Sequence, residues 1–348
     1  MRNKTTSSSR AAGAQLVRRR WQHLRAKCTS GDSEAVGARL TDAPRADNLK
    51  YMSRLMFVAV TSITFSVAAA AQQVPGRDLL QFPLGVLAEA PALSAQMPGG
   101  FWNPATAAYS SSNRLQLGFA ALSTPYEEGV ELKLLAGTLR LRPNVTGSLS
   151  FAQASVGDIL KTETDPQSLG EEIPYSTMVI SAGTAARGKA ATFGLAARYR
   201  WGSLDTAQNG AFSIDGGVVI DRAFGTPVRV AASTFLLSPS RAVEAASYLV
   251  AADVPLAPGD SLWHVRGGAS LQVTEGRGHE SYVFATSRYR GVDANGGVLQ
   301  TTAFGNVNRR VRFGVGLHYA RYGVAIARED GAAGLGASYQ FLLTSVFR

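Results

Sequence analysis

Cysteine is almost missing from this chain. The one among 348 residues is Cys28, inside a basic N-terminal head, so everything after it can build neither a disulfide nor a thiolate metal site. Lys27, not a small residue, precedes it, which argues against a lipoprotein anchor. Histidine is scarce too: after residue 71 only His264, His279 and His318 remain, without the i, i+4 spacing of a metal-binding helix. There is no G-x-S-x-G elbow, and the glycines Gly331, Gly334 and Gly336 lead into a strand, not into the helix a phosphate loop needs. No catalytic set, metal site or cofactor is therefore expected. Long apolar runs are absent as well: after Ala71 none approaches 18 residues, which excludes a helical membrane protein but not a β-barrel.

Residues 50–71, KYMSRLMFVAVTSITFSVAAAA, have the three parts of a secretory signal. Lys50 and Arg54 are the basic region, Leu55–Val67 the apolar one, and Ala69-Ala70-Ala71 the small-residue site, with cleavage expected between Ala71 and Gln72. A membrane anchor is the competing reading, but the stretch from Leu55 to Ala71 is short for a span and ends in alanines. The first 51 residues carry 11 Lys/Arg against 4 Asp/Glu, an odd preface to a signal; Met52 as the true start would make them a misassigned extension, disordered if translated. A nucleic-acid arm would need interleaved aromatics, and only Trp21 is there, so no nucleic-acid partner is expected. Most of the net charge of +10 sits in this head and Arg54, leaving about +2 on residues 72–348.

From residue 113 onward one theme repeats: stretches of about ten residues in which large apolar side chains alternate with small or polar ones. Phe193, Leu195, Ala197, Tyr199 and Trp201 share one face, Thr192, Gly194, Ala196, Arg198 and Arg200 the other. Turn residues divide the region into strands at 114–123, 129–141, 145–156, 174–186, 190–202, 211–221, 227–236, 246–256, 261–274, 280–290, 297–305, 308–318, 321–328 and 332–347. That predicts an all-β protein, an antiparallel transmembrane barrel of about fourteen strands over 113–348, in contact with outer-membrane lipid. With both termini in the periplasm, 142–144 and 187–189 are short inner turns, and 157–173 and 203–210 longer external loops. A soluble sandwich or propeller also alternates. Against it stand aromatics near the strand ends (Tyr199, Trp201, Trp263, Tyr319, Tyr339, Phe341) and opposite faces crowded with Gly, Ala, Ser and Arg. The final strand places Phe347 one residue before the end, a feature barrel-assembly machinery would read.

The charges Arg198, Arg200, Asp215, Asp221, Arg229, Asp253, Arg266, Arg310 and Arg312 fall almost entirely on the non-apolar faces, which predicts an ion network in the lumen. Residues 72–112 show no alternation, carry Pro83, Pro91 and Pro98, and hold apolar side chains from Leu79 to Leu87 that need burial. The lumen is the available place, so this segment is expected to act as a plug.

The segment contains GGFWNPATAAY, and its Asn103-Pro104-Ala105, just ahead of the first alternating strand, resembles the NPA signature of the FadL and PorV/PorQ outer-membrane barrels. The stretch FSIDGGVVID, 212–221, looks like their aspartate-glycine strand, while the Gly- and Met-rich run usual before NPA is reduced here to Met97-Pro98-Gly99-Gly100. The resemblance implies a fourteen-stranded barrel of the Gram-negative outer membrane with a lumenal plug. In its FadL form it implies transport of small hydrophobic compounds, in its PorV form a partner or shuttle for secreted proteins. A barrel enzyme is the least favoured alternative. An apolar ligand-shaped cavity would favour the first, a closed lumen with a broad external face the second, and a His–carboxylate–Ser cluster at the rim the third.

Overall fold

The computed structural model describes residues 73–109, 115–125, 129–157, 159–162, 168–239, 244–257, 263–303, 306–331 and 336–347. The expected head, the signal at 52–71 and its cleavage site Ala71-Gln72 lie outside them.

Among the described residues sixteen strands follow one another: β1 Leu115–Ser123, β2 Val130–Arg142, β3 Val145–Val156, β4 Leu160–Thr162, β5 Ser168–Glu172, β6 Tyr175–Arg187, β7 Ala191–Leu204, β8 Ala207–Ile220, β9 Arg229–Phe235, β10 Ser247–Pro255, β11 Trp263–Thr274, β12 Gly278–Tyr289, β13 Val292–Ala303, β14 Asn306–Tyr319, β15 Tyr322–Glu329 and β16 Ser338–Phe347. Fourteen close into one antiparallel barrel, each paired with its sequence neighbour, and β16 returns to pair with β1 from Leu115↔Phe347 to Ser123↔Tyr339. β4 and β5 form a separate small hairpin inside the connection between β3 and β6. Closure leaves no unpaired edge, which is what a strand-built membrane span requires.

The alternation decides which side each residue faces. Along β7, Phe193, Leu195 and Tyr199 are exposed on the outside, whereas Thr192, Ala196, Arg198 and Arg200 are buried inside. The same holds for Val311, Phe313, Val315 and Leu317 on β14. Outward aromatics gather in two bands: Trp263, Tyr289, Tyr319, Tyr322 and Phe347 at the end where the barrel chain starts and stops (the terminal end), Tyr199, Phe212, Tyr339 and Phe341 toward the far end. An apolar belt between aromatic girdles is the surface a bilayer demands.

Connections at the terminal end span 143–144, 188–190, 221–228, 256–262, 290–291 and 320–321; those at the far end include 124–129, 157–174, 236–246 and 330–337. The sequence expectation of a long loop at 203–210 is corrected here. β7 and β8 run to Leu204 and from Ala207, joined by a turn at Asp205-Thr206 with Asp205 at φ 54°. Residues 203–210 continue the ladder, and an Asp tolerates the left-handed conformation such a tight hairpin needs. A second correction concerns β13, which begins at Val292 and not near 297. Gly296 and Gly297 both sit within the pairing to β12 and β14.

Candidate functional site

Residues 73–109 contribute a large share of the protein's buried apolar side chains: Val74, Leu79, Leu80, Leu84, Val86, Leu87, Leu93, Met97, Phe101 and Trp102. All of these but Val74 belong to one cluster with inward residues of the wall such as Leu132, Leu134, Val179, Val219, Phe235, Leu249, Tyr282 and Leu299. Phe101, Trp102 and Phe235 meet at ring-centroid distances of 4.7–5.4 Å. Polar anchors are spread around the circumference. Tyr282 Oη donates to Ala88 O at 2.7 Å, Gln340 Nε2 to Pro83 O at 3.0 Å, and Ser233 Oγ to Trp102 O at 3.0 Å.

The Asn103-Pro104-Ala105 motif forms the tightest of these seats. Asn103, fully buried, caps the 3-10 turn Pro104–Ala108: its Oδ1 accepts from Ala105 N at 3.0 Å, and its Nδ2 donates to Ala92 O at 2.7 Å. Proline opens the turn because it needs no N–H there. The turn lies against Gly194 of β7 and Gly217 of β8, which are cross-strand partners. A Cβ on Gly194 would stand 2.3 Å from Ala105 N, and one on Gly217 2.0 Å from Asn103 Oδ1. The two glycines are therefore a notch in the wall shaped to this motif. Tyr109, just past the turn, donates to Asp221 at 2.5 Å beneath the Arg187 guanidinium.

The charges do not form one network; the structure distributes them into separate groups. Arg198 pairs with Asp215 at 2.5 Å and donates to Phe101 O, while Asp215 Oδ1 accepts from Leu237 N at 2.9 Å. Arg200 pairs with Glu244 at 2.5 Å and donates to Pro75 O and Val74 O; Arg77 of the segment pairs with the same Glu244 at 3.3 Å. These two groups tie the segment to the wall. Arg310 and Arg312 share Glu329, each at 2.6 Å, at the far end. Arg266 joins a fourth group at the terminal end, where Asp253 is held by Arg266 at 2.7 Å and by Arg229 at 2.6 Å.

Beside that fourth group lies a cavity of about 630 Å³ opening at the terminal end. Its wall brings Arg229, Arg266, Arg288, Asp293, His264 and His318 together, and the segment contributes Glu89, Leu93 and Gln96. Asp293 is gripped by Arg288 at 2.6 Å and lies 2.9 Å from His318 Nε2. Burial pushes the Glu89 carboxyl up from its ordinary range, opposed by the charge of Arg229 and a hydrogen bond from Gln96. The cavity is thus polar and charged, not the apolar pocket that a hydrophobic ligand alone would call for. Asp293 and His318 are two members of a hydrolytic set, but among the described residues no hydroxyl is hydrogen-bonded to the His318 ring. No cluster of three or more His, Cys, Asp or Glu suited to a metal occurs among the described residues.

Sequence reasoning missed Arg77, Glu244, Arg288, Asp293 and Glu89. Glu244 sits in a connection, Asp293 in the stretch read as a loop before Gly296, and Arg77 and Glu89 on a segment without periodicity. Their only sequence signal was being the rare charges in otherwise small or apolar surroundings.

No protein-family model and no curated protein matches the chain. Among solved structures it is similar to the P. putida toluene transporter TodX, with 9% identity, covering 76% of this chain and 99% of that one at a TM-score of 0.50. It is also similar to the Ralstonia pickettii toluene transporter TbuX, 11% identical over 76% and 99% of the two chains at 0.49, and to a Pseudomonas aeruginosa FadL homologue, 9% identical over 80% and 100% at 0.47. What the chain shares with TodX is the fold, a closed antiparallel β-barrel.

Proposed function

We propose that this chain, exported by its signal and inserted by the barrel-assembly machinery, is an outer-membrane channel of a Gram-negative cell for small apolar molecules. In this reading residues 73–109 are its internal plug. The observation that carries it is the nature of the lumen's contents. The segment meets the wall mainly through Leu, Val, Met, Phe and Trp side chains, so an apolar solute loses little on replacing those contacts, whereas a hydrated ion does. The charged ties of Arg198 and Arg200 act as latches that keep the plug seated between passages. TodX and TbuX are described as toluene transporters, and toluene is the first substrate to try.

The test is uptake of labelled toluene by cells whose outer membrane carries the protein, against cells carrying the empty vector. Faster uptake at equal membrane integrity is expected. An unchanged rate, with the barrel folded in the outer-membrane fraction, rejects the channel; stable co-purification with a secreted protein in that case supports the secretion-partner reading.

A further inference from the structure

The cavity at the terminal end holds more basic groups than its wall can neutralise. Asp253 is shared by Arg229 and Arg266, and Asp293 by Arg288 and His318, so each wall carboxylate serves two basic side chains. Neither pairing uses the whole guanidinium. Arg229 and Arg288 bond through Nε and Nη2, which leaves their Nη1 groups without a hydrogen-bond partner among the described residues. Arg266 bonds through Nη2 alone.

The only acid that the segment brings to this place is Glu89, and burial holds it toward its neutral form. Leu93 and Pro98 of the segment also line the cavity. At about 630 Å³ the cavity has the size of a small-molecule site, and apolar side chains of the segment line it beside charged donors of the wall.

We propose that this cavity is a binding site for a small organic anion with a compact apolar body, such as an aromatic carboxylate, held by the free guanidinium faces of Arg229, Arg266 and Arg288. The proposal rests on the channel reading and refines it: the molecules that leave through the terminal end include anionic ones, and the site selects for them. A carboxylate is the natural complement, since arginine presents planar paired donors and charge-assisted bonds of this kind are among the stronger polar contacts.

Three probes that share one aromatic body separate head charge from hydrophobicity: benzoate, benzyl alcohol and benzylammonium, titrated calorimetrically into the purified detergent-solubilised barrel. Benzoate should bind at least about tenfold more tightly than the other two, the scale of one charge-assisted hydrogen bond. His264→Glu puts a carboxylate into the cavity at an exposed side chain of its lining. It should weaken benzoate about tenfold and improve benzylammonium. Arg288→Gln should weaken benzoate and Arg288→Lys should restore part of the affinity.

Equal binding of benzoate and benzyl alcohol, or benzoate binding unchanged in His264→Glu, overturns the anion site. Either result leaves the channel standing, because that is judged by toluene uptake. Absent toluene uptake with intact, His264-sensitive benzoate binding would reject the channel while keeping the site.

Discussion

At the scale of single residues, the account is most exposed at side chains that face one way or the other. Leu195 points outward from the middle of β7 and is 59% exposed to what would be lipid, while its neighbour Ala196 is 5% exposed and points in. Leu195→Arg should cost about 2–4 kcal/mol in a lipid refolding assay if it lies near the bilayer midplane. Ala196→Arg, facing the lumen, escapes most of that electrostatic cost, but the lumen there is packed and an arginine side chain would have to displace neighbours. A sharper residue-scale test uses the notch. Gly194→Ala or Gly217→Ala should unseat the Asn103 turn, because the added methyl has nowhere to go, and raise ion conductance. Gly216→Ala, beside Gly217 but facing out with only Leu195 within 3.9 Å, is the control and should leave conductance unchanged. Equal conductance in Gly217→Ala and Gly216→Ala would mean the notch does not hold the motif.

At the scale of elements, the strands were legible and the segment only in part. Alternation is a local signal that every barrel strand must carry, so the faces of β7, β11, β8 and β14 could be read directly. The errors came at one turn and one strand start: Asp205-Thr206 closes a tight hairpin where a long loop was expected, and Gly296-Gly297 lies inside β13. The partners of the charges were not legible, because Arg77–Glu244 and Arg200–Glu244 join elements far apart in the chain. The segment itself makes a pH prediction. Glu89 holds its proton more tightly when seated and buried than it would when released into water. Seating is therefore favoured at low pH and weakens as pH rises through the raised value. The groups facing it are Gln96 on its own segment, Arg229 on β9, Arg288 on β12 and Asp293 on β13. His264 and His318 line the same cavity. Channel openings in bilayer recordings should become more frequent with rising pH, and Glu89→Gln should flatten that slope. The same slope in Glu89→Gln would reject Glu89 as its source.

At the scale of the whole molecule, the barrel and its contents have to be considered together. A fourteen-stranded wall lined by Gly, Ala, Ser and Thr leaves room that an open pore would fill with water, and here inward residues from β2 around to β16 instead share one buried apolar cluster with residues 79–105. The composition pointed to this, since an apolar, proline-broken segment without strand character has no other place to be buried. What composition could not show is the unfilled side at the terminal end, because a cavity is set by which wall residues the segment leaves uncovered. On the proposed reading, residues 73–109 close the lumen. Planar-bilayer recording tests it most directly: the intact mature protein should show little ion conductance, and deletion of residues 72–98 should raise it severalfold, whereas a large and steady conductance in the intact protein would contradict the account.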